Sequence, residues 1–250
     1  MRHVFDAMGT TVSLSADGNA PVSVIERIFA DADRRFSLYR ADSELSRVAS
    51  GDLRLVDASP ELRATYAEAL RWRRVTNGAF TPHRPDGVTD LNGIVKAVAM
   101  RDAAELLDAS VAGEWTLVVG GDVVQSRAEG TSRPIGIVDP VDASTLICSL
   151  ALAGDRRAVA TSGSAERGDH IWLGGEYGAA DFVQVTVVAD DIVTADVLAT
   201  AIVAAGYGGL DDICDRWPID VLTIDRTGDM RATPGLSSAI LAAEPASPHR

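Results

Sequence analysis

The sequence lacks any long apolar run. No segment approaches the ~20 consecutive apolar residues that a membrane-spanning helix requires. Residues 1–15 alternate in polarity and lack the apolar core of a signal peptide. We therefore expect no membrane span and a cytoplasmic location.

Basic charge is also scarce. The formal net charge is −13 and the pI is about 4.6. Non-specific binding to nucleic acid or to anionic lipid needs a basic surface, so the composition argues against both functions. A nucleotide ligand is still compatible with this charge, provided that a metal ion or a few local cations offset its phosphates.

Two residue types are nearly absent. The two cysteines, Cys148 and Cys214, are far apart and lack metal-ligand or redox spacing, so each is expected to be a small core residue. Among 23 lysines and arginines, Lys96 is the only lysine. Its compact ammonium differs from the planar guanidinium used elsewhere, so this position either requires a point charge or carries a lysine by chance.

The remaining composition is that of a folded protein, with 46% hydrophobic and 24% charged residues. Apolar periodicities of helix and strand come in blocks instead of strict alternation. This order predicts an α+β fold with mixed, largely antiparallel sheets. We expect residues 1–250 to form one unit, with a looser tail over about 233–250.

Individual elements follow from spacing and from capping signals. An amphipathic helix should end near Phe36, and a second should begin after Ser59 with Pro60 in its first turn. The pair Gly120-Gly121 predicts a hairpin turn. Further helices are predicted over 94–109 and 194–205, and strands over 4–15, 116–119, 123–126, 135–138, 146–152, 158–160, 182–188 and 221–224.

The predicted helix 194–205 carries a possible metal site. Asp196 and Thr200 are four residues apart and therefore share one face and one turn. A carboxylate and a hydroxyl are hard oxygen ligands that suit Mg²⁺. Alternatively, Thr194 and Asp196 serve only as helix cap and dipole partner.

Three other segments carry candidate polar groups. Asp90 to Lys96 brings an acid, Gly93 and the single lysine to the start of a helix, which fits either a phosphate cradle or a capped glycine turn. Gly120-Gly121-Asp122 alone indicates a turn. His170 follows a hydroxyl-bearing strand end and is either a general base or a structural hydrogen-bonding group.

The order of these segments is more specific than any one of them. Together they resemble the FAD:protein FMN transferases, formerly called thiamine-biosynthesis lipoproteins, over nearly the whole chain. The resemblance rests on Met8-Gly9-Thr10, FSLYRADSELSRV (36–48), GAFTP (78–82), TDLNGIVKAVAMRDAAELL (89–107), VVGGDV (118–123), ATSG (160–163), DHI (169–171) and TADVLATAIVAAG (194–206).

The resemblance implies an α+β fold that binds FAD as a substrate in an elongated cleft, with Mg²⁺ at the diphosphate. It implies that Asp196, Thr200 and the Gly93 carbonyl bind the metal. The implied catalytic residues are Asp196 and His170, of which His170 activates the acceptor hydroxyl. The positions implied to contact FAD are Met8, Tyr39, Ala79, Phe80, Thr81, Asp90, Lys96 and Ile171.

The implied reaction is phosphoryl transfer. A threonine hydroxyl of an acceptor protein, deprotonated by His170, would attack the FMN phosphorus of FAD and AMP would leave. Such chemistry depends more on positioning and charge neutralisation than on covalent catalysis.

The chain departs from the family pattern in several places. After Ile171 it reads Trp-Leu-Gly-Gly-Glu-Tyr-Gly, without the usual proline and threonine, and Thr81 replaces an aspartate. Ala49 and Ala97 replace an asparagine and a glycine. Two alternatives therefore stand beside the transferase, namely an Mg²⁺-dependent FAD pyrophosphatase that yields FMN and AMP, and a non-catalytic FAD-binding module.

Overall fold

A computed structural model describes residues 1–127, 133–163 and 181–241. The helices in these ranges are α1 (Val22–Phe36), α2 (Glu44–Ser50), α3 (Pro60–Val75), α4 (Asn92–Ser110), α5 (Ile192–Ala205), α6 (Tyr207–Arg216) and α7 (Pro234–Ala239). The strands are β1 (Arg2–Ala7), β2 (Thr10–Ala16), β3 (Trp115–Val119), β4 (Asp122–Gln125), β5 (Ile135–Val138), β6 (Leu146–Leu150), β7 (Ala158–Gly163), β8 (Phe182–Ala189), β9 (Asp220–Asp225) and β10 (Met230–Ala232).

Eight of these strands form one sheet in the order β1-β2-β3-β4-β7-β8-β9-β10, and β5 pairs with β6 in a second sheet. Every strand pair is antiparallel. The predicted α+β class with a largely antiparallel sheet is therefore confirmed.

The N-terminal segment corrects one prediction. Residues 4–15 were expected to form one strand, but they belong to the hairpin of β1 and β2. Met8 and Gly9 form its turn with φ angles of 52° and 72°. Two consecutive positive φ angles are typical of the tight turns that join antiparallel strands. The alternation of polarity continues through both strands and conceals the reversal.

The helices α1, α4 and α5 build the main core on one face of the large sheet. The apolar stripe of α1 consists of Ile25, Phe29, Ala32 and Phe36, all of them buried. Helix α5 is apolar around most of its circumference, because it packs against α4 on one side and against β7 and β8 on the other.

Two helix boundaries differ from the predicted ones. Helix α4 begins at Asn92, so Gly93 lies in its first turn instead of preceding it. Helix α5 begins at Ile192, and the carboxylate of Asp191 accepts a hydrogen bond from the Thr194 backbone N–H at 2.9 Å. Asp191 is therefore the cap, and a capping role for Thr194 is wrong.

The second core lies on the opposite face of the sheet, beneath the β5–β6 hairpin and α7. Two side-chain amides attach β5, since Gln125 donates to the Arg133 carbonyl at 3.0 Å and Gln184 to the Val138 carbonyl at 3.2 Å. Part of the tail that was expected to be loose is helical, because α7 buries Leu236 in this core. Cys148 and Cys214 are half-buried free thiols, one against each core.

No helix within the three described ranges is long and apolar enough to cross a membrane.

Candidate functional site

Four of the segments singled out in the sequence meet at one end of the large sheet. Strands β4 and β7 are antiparallel neighbours, so the start of β4 lies beside the end of β7. Helix α5 packs against β7, and α4 packs against α5. These contacts bring together residues 90–96, 120–122, 160–163 and 194–200.

Lys96 forms an ion pair with Asp122 at this end of the sheet. The side chain of Lys96 is 10% exposed and that of Asp122 is completely buried. Gly120 and Gly121 form the β3–β4 turn that the sequence predicts, with φ angles of 54° and 91°. The predicted turn is confirmed. The sequence did not show that Asp122, which follows the turn, forms an ion pair with Lys96.

Asp122 also fixes the end of β7. Its Oδ1 accepts a hydrogen bond from the Thr161 backbone N–H at 3.0 Å. On the neighbouring strand, the hydroxyl of Thr186 lies 2.9 Å from that of Thr161. The Asp122 carboxylate therefore serves two donors from different elements, and sequence reasoning did not identify it as a site residue.

Helix α5, which carries the predicted metal ligands, contacts Ser162 of β7. The Ser162 Oγ and Thr200 Oγ1 atoms are 3.1 Å apart. Asp196 lies one turn before Thr200 in the uninterrupted helix α5 and is 1% exposed. A buried carboxylate and two hydroxyls thus lie close to the Lys96–Asp122 pair.

The GAFTP segment packs against the start of α4. A Cβ atom at Gly93 would lie 3.1 Å from Cε2 of Phe80, whose ring is buried. The Phe80 backbone N–H donates to Thr76 Oγ1 at 3.1 Å, which ties this segment to the end of α3. Ala79 lies beside Phe80 and is partly buried against the main core.

Asp90 connects the GAFTP segment to α4. Its N–H donates to the Pro82 carbonyl at 2.8 Å, and its Oδ1 accepts from the Asn92 N–H at 2.9 Å. The carboxylate therefore satisfies the first backbone N–H of α4, although the N-cap residue is Leu91 and not Asp90. Thr81 Oγ1 accepts the His83 N–H at 3.3 Å.

His83 is a further polar group that sequence reasoning missed. Its Nε2 lies 2.8 Å from the Tyr66 hydroxyl, and the two rings meet edge to face. Burial lowers the pKa of the His83 imidazole, and the positive charge of Arg73 lowers it further. A histidine directly after the GAFTP segment was the available signal.

Other predicted residues lie outside this cluster. Met8 is in the β1–β2 turn and packs partly against the main core. Tyr39 follows α1 and is 93% exposed, so it does not belong to the buried cluster. His170 and Ile171 lie outside the described residues.

The described residues of the cluster include few of the side chains that commonly bind metal ions. In the described part of the chain, no group of three or more His, Cys, Asp or Glu side chains is arranged to hold a metal ion. Among the described residues, the Asp196 carboxylate and the Ser162 and Thr200 hydroxyls are hard oxygen donors, the kind of ligand that suits Mg²⁺.

Comparison with known proteins gives a family match over most of the chain. The model of the ApbE family matches residues 8–86 and 83–222. The chain belongs to the ApbE family. The match spans the hairpin turn at Met8, the Lys96–Asp122 pair and the Asp196–Thr200 helix. No curated protein matches the chain by sequence.

Solved ApbE structures share the fold. The ApbE protein of Thermotoga maritima superposes with a TM-score of 0.80 at 22% identity, over 97% of this chain and 99% of that one. Apo flavinyl transferase ApbE of Pseudomonas stutzeri gives 0.77 at 19% identity, over 98% and 97%. Flavin transferase ApbE of Vibrio cholerae gives 0.70 at 21% identity, over 96% and 98%.

Proposed function

We propose that this protein transfers FMN from FAD to a threonine hydroxyl of an acceptor flavoprotein and releases AMP, with Mg²⁺ as cofactor. The observation that carries the proposal is the convergence of four family segments at one sheet end. There the buried Lys96 pairs with the buried Asp122, the Ser162 hydroxyl contacts that of Thr200, and the buried Asp196 lies one turn before Thr200. Solved relatives described as flavin transferases support the choice of reaction.

Mg²⁺ would be held by Asp196, Thr200 and the Gly93 carbonyl. All three are oxygen donors, and their helices α4 and α5 pack against each other. One carboxylate with neutral oxygens leaves positions for diphosphate and water, which is the coordination that Mg²⁺ prefers. When bound, the ion would neutralise charge on the FAD diphosphate.

The residues proposed to contact FAD include some at the start of α4 and others that lie outside the cluster. Phe80 and Asp90 pack or bond at the start of α4, beside Ala79 and Thr81. Lys96 supplies a positive charge from the second turn of α4. Tyr39 offers an exposed aromatic ring, and Met8 a flexible apolar side chain at the hairpin turn. Ile171 completes the set by family resemblance alone.

The proposed step forms one bond and breaks one bond. The acceptor threonine oxygen bonds to the FMN phosphorus while the bond from that phosphorus to the bridging oxygen breaks, so that AMP carries the bridging oxygen away. The hydroxyl proton passes to a base, which we propose to be His170. The product is a flavoprotein with a phosphoester link.

The test is a reaction with FAD and Mg²⁺, with and without a threonine-bearing acceptor protein. AMP, free FMN and the acceptor mass are measured together. Asp196→Ala should lower AMP release by about 100-fold or more, because the loss of a metal ligand removes several kcal/mol of transition-state stabilisation. Asp190→Ala, an acid just before the same helix, is the matched control and should change the rate by less than about twofold.

The outcomes separate the candidate functions. AMP together with an acceptor that gains the mass of FMN supports the transferase. AMP with free FMN and an unmodified acceptor would replace it with an FAD pyrophosphatase. Binding of FAD without AMP would leave only a flavin-binding module.

A further inference from the structure

Asp122 is a completely buried carboxylate that neither composition nor family resemblance singles out as a site residue. It faces two donors, the ammonium of Lys96 from α4 and the backbone N–H of Thr161 from β7. Because its side chain has no exposed surface, Asp122 does not contact a ligand directly. Any effect on the reaction must pass through its two partners.

The buried ion pair of Lys96 and Asp122 does more to fix the relative position of α4 and β4 than to lower the free energy of folding. Removing two charges from water costs about as much as their attraction returns, so a buried pair stabilises a fold little compared with apolar side chains of the same size. Such a pair does fix the relative position of the elements that carry it. Here those elements are the second turn of α4 and the first residue of β4.

The contacts of Asp122 continue toward the proposed metal ligands. Thr161, whose N–H it accepts, precedes Ser162, and Ser162 contacts Thr200 of α5 at 3.1 Å. On the other side, Lys96 lies three residues after Gly93 in the same helix. One carboxylate therefore joins the helix that carries Gly93 to the strand that contacts Thr200.

We propose that Asp122 is a positioning residue for flavin transfer. It holds the Lys96 ammonium at a fixed place beside the FAD diphosphate site and keeps the end of β7 in register with α5. This inference rests on the proposed function, because it assigns the purpose of the same site.

The test is a double-variant cycle with a control pair. Asp122→Asn removes the charge but keeps an oxygen that can accept the Thr161 N–H. It is combined with Lys96→Met, which keeps the length of the side chain. The control is Asp108→Asn, which removes the charge from the ion pair between Asp108 and Arg157 at the other end of α4. For each protein we measure kcat and KM for AMP release, the FAD dissociation constant, and the folded fraction.

We expect Asp122→Asn to lower kcat/KM per folded molecule by about 100-fold, since a displacement of about 1 Å near a reacting group costs that much. The double variant should be no slower than Lys96→Met alone, because Asp122 acts through Lys96. Asp108→Asn should stay within about twofold of wild type. A purely structural role would instead lower the folded fraction and leave kcat/KM per folded molecule unchanged.

Two results would overturn the inference. One is a folded Asp122→Asn variant with wild-type kcat/KM and FAD affinity. The other is a double variant whose loss equals the product of the two single losses. Failure of the proposed function is seen separately, as a wild-type protein that releases no AMP, and the same cycle in FAD affinity then decides whether Asp122 positions Lys96.

Discussion

The two ends of α4 are attached to the sheet by ion pairs of different character. Near its N-terminus, Lys96 and Asp122 have side chains that are 10% and 0% exposed. Near its C-terminus, Asp108 pairs with Arg157 at 2.8 Å, and these side chains are 40% and 9% exposed. The guanidinium of Arg157 also lies 5.2 Å from the centroid of the Trp115 ring.

The fold depends on a fixed geometry more at the N-terminal end of α4 than at its C-terminal end. At the C-terminal end, Asp108 reaches water and Arg157 has an aromatic partner, so each group has support besides the other. At the N-terminal end the pair lies almost entirely out of water, and loss of one member leaves a buried charge without its main counter-charge. The end with the stricter requirement is also the end that carries the proposed flavin and metal ligands.

The largest expected effect comes from breaking the buried pair. Asp122→Ala should lower the free energy of unfolding by about 3–5 kcal/mol, because it leaves the Lys96 ammonium buried without the carboxylate and removes the acceptor of the Thr161 N–H. Urea denaturation followed by circular dichroism measures this change. A loss below about 1 kcal/mol would mean that water reaches Lys96 and that the ion pairs at the two ends of α4 contribute similarly to stability.

Breaking the pair of Asp108 and Arg157 at the C-terminal end of α4 should have a smaller effect. It should lower the free energy of unfolding and leave the reaction rate unchanged. Arg157→Ala removes a cation from the Trp115 ring and some apolar packing, at a cost of about 1–2 kcal/mol. AMP release per folded molecule should remain within twofold of wild type. If activity falls by more than the folded fraction, the two ends are coupled along α4 and the C-terminal pair also affects the reaction.

Much of the fold was predictable because its local signals are strong. The stripe of α1 and the cap at Ser59 placed two helices almost at their observed bounds. The Gly120-Gly121 turn placed a hairpin. The first hairpin was missed because one of its turn residues is Met8, a residue type that rarely adopts positive φ, so composition gives no signal there.

The site was only partly predictable, because its key contacts are between distant segments. The spacing of Asp196 and Thr200 placed both on one turn, a relation that depends on local helix geometry alone. The pairing of Lys96 with Asp122 and the contact between Ser162 and Thr200 depend on how α4 and α5 cross the sheet. The single lysine and the Gly-Gly-Asp segment were the signals for the first of these, but only tertiary structure joins them.

A smaller effect is expected from crowding at the start of α4. In Gly93→Ala the new Cβ would lie 3.1 Å from Cε2 of Phe80, so the ring must move by a few tenths of an ångström. The helix preference of alanine, about 1 kcal/mol, should offset the strain and leave stability nearly unchanged. AMP release should still fall by about fivefold if Phe80 contacts the flavin.

The matched control for this prediction is a double variant. The smaller side chain of Phe80→Leu relieves the crowding, so Gly93→Ala should lower the rate less in the Phe80→Leu background than in the wild-type protein. Unchanged activity in Gly93→Ala would mean that neither residue lies at the reacting part of the site, and that only Lys96 and Asp122 distinguish this end of the helix.

The smallest expected effect concerns pH at the same end of α4. Burial and the charge of Arg73 lower the pKa of His83, so the folded protein binds a proton at this ring less readily than the unfolded chain does. The contribution of His83 to stability is therefore complete above the unfolded pKa of about 6.5 and declines as the pH falls through and below that value. Because the ring is partly exposed, the decline should be only a few tenths of a kcal/mol.

Urea denaturation at pH 7.5 and pH 5.0 measures this decline against His83→Gln, which keeps a hydrogen-bonding group near the Tyr66 hydroxyl but does not titrate. The variant should lose less stability on acidification than wild type, since all other titrating groups are common to both proteins. An equal loss would show that the folded protein tolerates a protonated His83 beside Arg73. The dependence of stability on charge at this end of α4 would then be confined to the pair of Lys96 and Asp122.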